Sequence, residues 1–220
     1  MGVEVALAVM LLGSAGLMGK SLVRVLSIDP GYRPQGAFGV TVMAPNALVE
    51  KDEVALGYHT RMLESVLAIP GVTAATRVSI LPGLTNGNTQ RFLREDRPPP
   101  PGPQPEASYR LVGPDYFRVL GIPLLSGRAF GPEDTMATSA PAVVNRTFQR
   151  RFFPGEDVIG KRIHPTFSSD APHLTIVGVV ADQNCGALDQ GAPAILYYAD
   201  TQFPANPVSF IVRADRKSVV

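Results

Sequence analysis

The sequence predicts an α+β fold that follows one amino-terminal transmembrane helix. Residues 5–18 carry no charge, which is typical of a membrane segment. Beyond them, runs with strand-like alternation are interspersed with short stretches of helical periodicity. The chain of 220 residues contains 21 glycines and 21 prolines, which supply the turns that many short elements need. The sequence shows no repeat of fixed period.

The apolar segment, residues 1–28, is interpreted as a transmembrane helix. Its helical pattern continues past Lys20 and Arg24, and Lys20 can extend its ammonium group to the interface. A secretory signal peptide and a buried core helix are the alternatives. A signal peptide needs a positive amino-terminal region, whereas Glu4 is the only charge before the apolar run. On this chain alone, the positive-inside rule would put the following residues in the cytoplasm.

The glycines of this segment suggest two functions. Gly13 and Gly16 let a second helix approach closely, so a homodimer through them is an expectation. Residues 16–21 look like the end of a phosphate-binding loop, but the motif requires a glycine where Ser14 stands. The motif must also follow a strand, and this segment is helical. Nucleotide binding is therefore not predicted.

The elements after the turn at residues 29–32 begin with a β-α-β unit. It consists of strand 38–43, helix 52–68 and strand 72–79, with Pro70 and Gly71 ending the helix. Short helices are predicted over 114–120 and 145–153. Residues 97–105 form a proline-rich surface connection, 121–125 are extended and 127–130 form a turn. Further strands are predicted over 91–94, 108–112, 141–145, 173–181, 194–198 and 208–213.

The stretch FFPGEDVIGKRI, residues 152–163, predicts a helix end, a turn and the start of a strand. Pro154 and Gly155 stop the helix, because proline lacks an N–H and glycine accepts a left-handed cap. The acids Glu156-Asp157 here, and Glu133-Asp134 in an earlier turn, are predicted to be solvated. Residues 173–181 make the most strand-like run and are expected in the centre of the sheet.

Composition narrows the possible functions. The net charge of +1 provides no basic field for nucleic acid, and 7% aromatic residues without tryptophan give little surface for base stacking. The 45% hydrophobic content is enough to fill a core. Cys185 is the only cysteine, so there is no intrachain disulfide framework. That suits a cytosolic protein and a bacterial extracytoplasmic protein equally.

Residues capable of chemistry are scattered along the sequence. His59, His164 and His173 lack the spacing of a zinc site, and Cys185 has no ligand near it. Asp182 follows strand 173–181, where a catalytic carboxylate could lie, although a turn residue is the simpler interpretation. An enzyme would require Asp182 and His173 to converge. The Asn145-Arg-Thr triplet is not interpreted as a glycosylation site. No catalytic, cofactor-binding or metal-binding residue is predicted.

Five phrases in order carry a family resemblance: SIDPGYRP, LESVLAIPGVTAATRVSILP, YRLVGPDYFRVLGIPLLSGRAF, APAVVNRTFQRRFFPGEDVIGKRI and LTIVGVVADQN. Together with the apolar helix, they resemble the periplasmic core domain of MacB-type ABC transporter permeases, within the FtsX-like permease group. The resemblance covers essentially the whole chain. It implies that FFPGEDVIGKRI is a structural corner without a catalytic role.

The resemblance also implies a domain organisation. Residues 1–28 are the transmembrane helix, 29–85 the first part of a β-α-β lobe, 86–171 an inserted mixed α/β lobe, and 172–220 the second part of the first lobe. In the family, the last strand is followed by a further helix and by three membrane helices. The chain is therefore expected to be a fragment with a truncated first lobe.

The function implied by the resemblance is that of a non-catalytic permease segment in the bacterial inner membrane. Its extracytoplasmic domain would couple ATP-driven motion to a substrate or partner, an orientation opposite to the one that Lys20 and Arg24 suggest. Expected partners are a cognate ABC ATPase, contacted through parts of the permease absent here, a second permease copy or half, and a periplasmic protein. No cofactor and no nucleic acid is expected. The alternative is a membrane-anchored or secreted binding module without transport.

Overall fold

The computed structural model describes residues 2–27, 29–45, 51–84, 87–131, 134, 140–168, 171–184 and 191–215. The helices are α1 (Gly2–Leu26), α2 (Asp52–Leu67), α3 (Tyr116–Leu120) and α4 (Arg146–Phe152). The strands are β1 (Ala37–Val42), β2 (Val72–Val78), β3 (Asn88–Arg94), β4 (Glu106–Val112), β5 (Leu124–Gly127), β6 (Pro141–Asn145), β7 (Arg162–Pro165), β8 (Leu174–Val180), β9 (Ile195–Ala199) and β10 (Val208–Ala214). These elements confirm the predicted α+β class with an amino-terminal apolar helix. Cys185 and Glu133 lie outside the described residues.

Six of the strands close into a ring. Their order is β4-β3-β7-β8-β6-β9, and β9 also pairs in parallel with β4, so the last strand meets the first. β8 lies between β7 and β6, which confirms that residues 173–181 are central in the sheet. β5 pairs with β8 as well, so the strand runs through Gly127, where the sequence predicted a turn.

Strands β1, β10 and β2 extend the same sheet beyond the ring, to which β2 is joined by pairing of Val78 with Val112 of β4. We call these three strands, with α2 beside them, the smaller sheet. β10 pairs antiparallel with both β1 and β2, so β1 and β2 run parallel on either side of it, and the predicted β-α-β unit is split by β10. β8 and β9 pair with strands from residues 86–171, whereas β10 alone of the later strands joins β1 and β2. The division into lobes by sequence range stays a prediction.

Two apolar clusters fill the domain. The interior of the ring, which we call the ring core, contains side chains of β3, β4, β6, β7, β8 and β9 together with the α4 phenylalanine Phe148. The second cluster holds α3 between the outer face of the ring and the smaller sheet, with Val143 and Tyr197 on the ring side and Val78 and Ile211 on the sheet side. α3 therefore joins the two parts of the domain through apolar contacts, which depend on buried area more than on direction.

The corner at residues 152–163 has the predicted helix, stop and strand. α4 ends at Phe152, Val158 is buried, and β7 begins at Arg162. The Arg94 guanidinium lies 3.9 Å from the centre of the Phe153 ring. Arg94 also donates to Glu156 Oε2 at 2.9 Å and to Asp96 Oδ2 at 2.7 Å.

The prediction that the turn acids are solvated is wrong for two of them. Asp134 is 3% exposed, and its carboxylate accepts hydrogen bonds from Arg128 at 2.6 and 2.9 Å and from the Gly131 amide at 2.9 Å. Glu156 is half-buried in contact with Arg94. A turn residue can be buried when a guanidinium neutralises it. Arg128 is six residues from Asp134, whereas Arg94 is 62 residues from Glu156 and that pairing has no local signal. Asp157 is exposed as predicted.

A buried ion pair connects β2 with the residue after β9. Arg77 Nε lies 2.6 Å from Asp200 Oδ2, and its Nη2 donates to Oδ1 at 3.1 Å. The two side chains are only 5% and 7% exposed. Arg77 Nη1 also donates to Thr60 of α2 at 3.1 Å. The pair thus holds α2, the smaller sheet and the ring together.

We expect Asp200→Ala to destabilise the domain by about 3–5 kcal/mol, because it leaves the buried Arg77 charge without its partner. The matched control is Asp115→Ala, which removes the acid of an exposed pair with Arg118 and should cost about 1 kcal/mol or less. Urea unfolding of the full chain in dodecyl maltoside micelles measures both. Equal losses in the two variants would contradict a structural role for the buried pair.

The ion pairs of Arg94 with Asp96 and Glu156, which we call the Arg94 network, should make the free energy of unfolding depend on pH. Hydrogen bonds from Arg94 and Lys161 lower the pKa of Asp96, and a hydrogen bond from Arg94 lowers the pKa of Glu156. A carboxylate whose pKa is lower in the folded state stabilises the fold at pH values above its unfolded-state pKa of about 4. This stabilisation is lost as the pH falls from there toward the folded-state pKa.

We therefore expect the free energy of unfolding to fall between pH 6 and pH 3, and to fall less in Arg94→Met. The control Arg118→Met removes an exposed arginine and should leave the pH dependence as it is in the unmodified chain. Urea unfolding at the two pH values is the measurement. If Arg94→Met has the unmodified pH dependence, the network does not control acid stability.

Candidate functional site

The residues that the sequence suggested for catalysis do not converge. His173 and Asp182 lie beyond opposite ends of β8 (Leu174–Val180), which at about 3.3 Å per residue separates them by more than about 20 Å. Asp182 Oδ1 accepts a hydrogen bond from the Thr147 amide at 2.7 Å. The carboxylate therefore caps the first turn of α4. An enzyme would require these two side chains to meet in a pocket, and they do not.

The other polar candidates have structural contacts. His59 is a buried residue of α2, and its burial, followed by the charge of Arg77, lowers its pKa. The His164 and His173 rings stack at 4.7 Å, and His173 Nδ1 contacts Glu95. Within the described ranges, His, Cys, Asp and Glu side chains do not gather in groups of three or more that could hold a metal ion.

Asn145 is a buried capping residue. Its Oδ1 accepts from the amides of Phe148 and Ile195, both at 2.9 Å, and its Nδ2 donates to the Pro193 carbonyl at 2.8 Å. The side chain is fully buried, so the amide nitrogen of the glycosylation triplet is inaccessible. Asn145 instead connects α4 to the start of β9.

Residues 2–23 of α1 are exposed and do not pack against the domain. Residues 2–23 form a helix that is long and apolar enough to cross a membrane, with a mean hydropathy of 1.7 and no part of that window buried. A Cβ atom built on Gly13 or Gly16 would meet no heavy atom within 4 Å. Within the described part of the chain, the connection of α1 to the domain runs through residues 29–35, which we call the junction segment.

The junction segment is fixed first to the chain after β8. The Asn184 amide donates to the Pro30 carbonyl at 2.9 Å, and its side chain donates to the Asp29 carbonyl at 2.6 Å. Asp29 Oδ1 accepts from the Gly31 amide at 2.9 Å, which tightens the turn. Gly31 has a φ of +74°, and a Cβ atom there would lie 2.1 Å from the Asp182 carbonyl oxygen. Only glycine permits this close approach.

Two further attachments tie the same segment to α3 and β10. The Arg33 amide donates to the Leu120 carbonyl at the end of α3, at 2.8 Å. The Arg213 guanidinium of β10 donates to the Gln35 carbonyl at 2.8 Å, and to the carbonyls of Arg33 and Val119. The junction segment therefore contacts the ring, α3 and the smaller sheet within a few residues of α1.

The sequence revealed only part of this site. It predicted a turn at residues 29–32, from aspartate, proline and glycine. The sequence predicts no contact for Asn184, because Asn184 and Asp29 are 155 residues apart and nothing local relates them. For Arg213, the sequence predicts a strand position and no hydrogen-bond partner. A glycine after Asp-Pro was the single available signal, and it indicates a turn without indicating what the turn packs against.

Comparison with known proteins gives a consistent result. A family model described as the MacB-like periplasmic core domain matches residues 6–218. The macrolide export ATP-binding/permease protein MacB of Vibrio parahaemolyticus is 31% identical over 101 residues, which are 46% of this chain and 14% of that protein. The protein of the same name from Chromobacterium violaceum is 26% identical over 172 residues, 76% of this chain and 24% of that protein. The chain thus spans less than a quarter of the length of these relatives.

Solved structures agree on the fold. The periplasmic region of MacB from Actinobacillus actinomycetemcomitans superposes with a TM-score of 0.56 at 13% identity, over 88% of this chain and 80% of that one. The extracellular domain of the noncanonic ABC-type transporter YknZ from Gram-positive bacteria gives 0.50 at 11% identity, over 70% and 72%. At these identities the likeness concerns the fold alone. With the family model matching residues 6–218, the chain belongs to the MacB-like periplasmic core domain family.

Proposed function

We propose that this chain is the membrane-anchored, extracytoplasmic segment of an ABC-type permease in the bacterial inner membrane. The junction segment would pass movement of α1 to the domain. The observation that carries the proposal is the set of attachments of residues 29–35 to Asn184, Leu120 and Arg213. ATP hydrolysis would belong to a cognate ABC ATPase outside this chain. The relatives' names, macrolide export ATP-binding/permease protein, support an export role.

The attachments would transmit motion to two sets of elements, β8 with α4 and α3 with the smaller sheet. Asp182 and Asn184 follow β8 directly, and Asp182 also caps α4, so a displacement of Pro30 would act on the ring and on α4. Arg33 bonds to the end of α3, which packs between the ring and the smaller sheet. Packed elements of this kind move as units because their interiors are close-packed. A tilt of α1 would therefore reorient the domain, and it would first load the hydrogen bonds near its attachment points at the ends of β8 and α4.

The partners of the transporter follow from the same proposal. A cognate ATPase would bind parts of the permease that this chain lacks, and a second permease copy or half would complete the membrane portion. The exposed face of α1 with Gly13 and Gly16 is compatible with such a second helix. A periplasmic protein that meets the domain is a further expectation. We propose no catalytic role for the chain itself.

Topology is the first test. Alkaline phosphatase, and in parallel a fluorescent protein active only in the cytosol, are fused after Val220 in the native gene context, with and without residues 1–28. We expect a membrane-bound, phosphatase-active product that requires residues 1–28. Active phosphatase in the soluble fraction would favour the secreted binding module. A fluorescent, phosphatase-silent product would place the domain in the cytoplasm, as Lys20 and Arg24 suggest, and would contradict the proposal.

Coupling is tested with two matched glycine substitutions. Gly31 and Gly155 have φ angles of +74° and +73°, but an added Cβ meets the Asp182 oxygen at 2.1 Å in the first case and no heavy atom within 4 Å in the second. Gly31→Ala should therefore detach the junction segment, whereas Gly155→Ala adds only the backbone strain that both variants share.

The readout is hydrogen exchange in the complete transporter, reconstituted with its ATPase, with and without ATP. We expect the ATP-dependent change in exchange within β8 and α4 to be lost in Gly31→Ala and retained in Gly155→Ala. Slow exchange of the ring core in the absence of ATP and unchanged membrane levels show that Gly31→Ala is folded. If Gly31→Ala keeps the ATP-dependent change, the junction segment does not transmit the motion.

A further inference from the structure

The ring of six strands is open at one end, where a groove of about 340 Å³ enters its interior. Gln90 of β3, Tyr109 and Leu111 of β4, and Tyr198 of β9 line it, together with Thr89 of β3 and with Phe167 and Phe203 from the segments that follow β7 and β9. We call it the ring groove. Tyr109, Leu111 and Phe203 also pack against the ring core, so the groove is a continuation of the apolar interior to the surface.

The groove lies at the end of the ring opposite to the junction segment. Tyr198 pairs with Ala142 at the start of β6, and β6 runs parallel to β8. Asp182, against which Gly31 packs, follows the other end of β8. The groove and the proposed coupling site are therefore separate surfaces, and an inference about one does not rest on the other.

The side chains of the lining determine which class of ligand the groove can bind. It contains four aromatic rings and one leucine, and its polar side chains, Thr89 and Gln90, carry no charge. The Tyr109 and Tyr198 rings meet edge to face at 6.1 Å, and the Tyr198 and Phe203 rings at 5.5 Å. Such rings favour offset or edge-on contacts with another aromatic ring. Among the lining residues that the structure describes, none is a lysine or arginine that could bind a phosphate or carboxylate.

The polar groups of the groove are placed to orient a ligand. The Gln90 amide nitrogen donates to the Tyr198 hydroxyl, which joins the two side chains. Burial raises the pKa of Tyr198, so its hydroxyl stays neutral at physiological pH. At the rim, Phe167 is 62% exposed, although it is an aromatic residue beside an apolar concavity. A mainly apolar cleft with a few convergent polar groups is the usual form of a small-molecule site.

We propose that the ring groove binds an uncharged aromatic small molecule of one or two rings that carries an amide or hydroxyl group. The ligand's ring packs among Tyr109, Phe167 and Phe203. Its polar group exchanges hydrogen bonds with Gln90 and Tyr198. The volume of about 340 Å³ is at the lower end of the range of about 300–1,000 Å³ that small-molecule sites occupy. A larger molecule would place only part of its structure in the groove.

The test is saturation-transfer NMR on the full chain in lipid nanodiscs, with signals from empty nanodiscs subtracted. The probes are benzamide, its anionic analogue benzoate, its cationic analogue benzylamine, and the aliphatic cyclohexanecarboxamide. We expect a saturable signal from benzamide and weaker signals from the other three. Equal signals from all four, or none from benzamide with a folded protein, would overturn the proposal.

Two phenylalanine substitutions locate the binding. Phe167→Ser removes the rim ring, and Phe38→Ser, the matched control, removes a 54% exposed ring on β1, away from the groove. Both residues are exposed, so both variants should fold, which circular dichroism verifies. We expect Phe167→Ser to weaken benzamide binding by about threefold or more, the effect of one aromatic contact, and Phe38→Ser to leave it unchanged.

Gln90→Leu separates ring packing from hydrogen bonding. This variant should lower the preference for benzamide over toluene while toluene still binds. Equal weakening of benzamide binding by Phe167→Ser and Phe38→Ser would overturn the proposal. A second outcome would also overturn the proposal. If a crosslinker at position 167 captures another protein while no probe binds, the groove holds a side chain of that protein.

Discussion

The double pairing of β9 is the interaction on which the rest of this structure depends. All five residues of this short strand are buried, and β9 hydrogen-bonds to β6 on one side and to β4 on the other. The parallel contact with β4 closes the ring. Closure gives the strands β4, β3, β7, β8, β6 and β9 a common interior, and it leaves Tyr197 and Ile195 on the outer face for α3 to cover. The buried Asp200 that holds Arg77 follows this same strand.

The closed ring provides a rigid body to which other parts attach. α3 packs on its outer face, the smaller sheet packs on α3, and the junction segment bonds to both α3 and the end of β8. Residues 2–23 of α1 take no part in this packing, since that window is exposed throughout. An exposed apolar helix attached to this body through the hydrogen bonds of the junction segment is the arrangement on which the proposed coupling role rests. The same ring leaves an open, aromatic-lined end on the opposite side.

Several polar residues of the described chain that the sequence left without a partner hold elements together. Asp182 and Asn145 both cap α4, Asp134 is bound by Arg128, and His173 contacts Glu95. Buried polar groups need partners, and in a fold of short elements the ends of helices and strands supply many of them. A carboxylate after a strand is therefore explained here by capping.

The sequence by itself determined the elements and the family. Strand-like alternation, helical periodicity, and stops such as Pro154-Gly155 act over a few residues, so α2, α4, β8 and the apolar helix could be predicted from it. Only the tertiary structure decided which strands are neighbours, because pairing of β9 with β4 and β6, or of Asn184 with Asp29, depends on contacts between distant residues. The same holds for the ring groove, whose lining comes from three strands and two loops. Local physics fixes what each segment is, and the packing of distant apolar surfaces fixes where it goes.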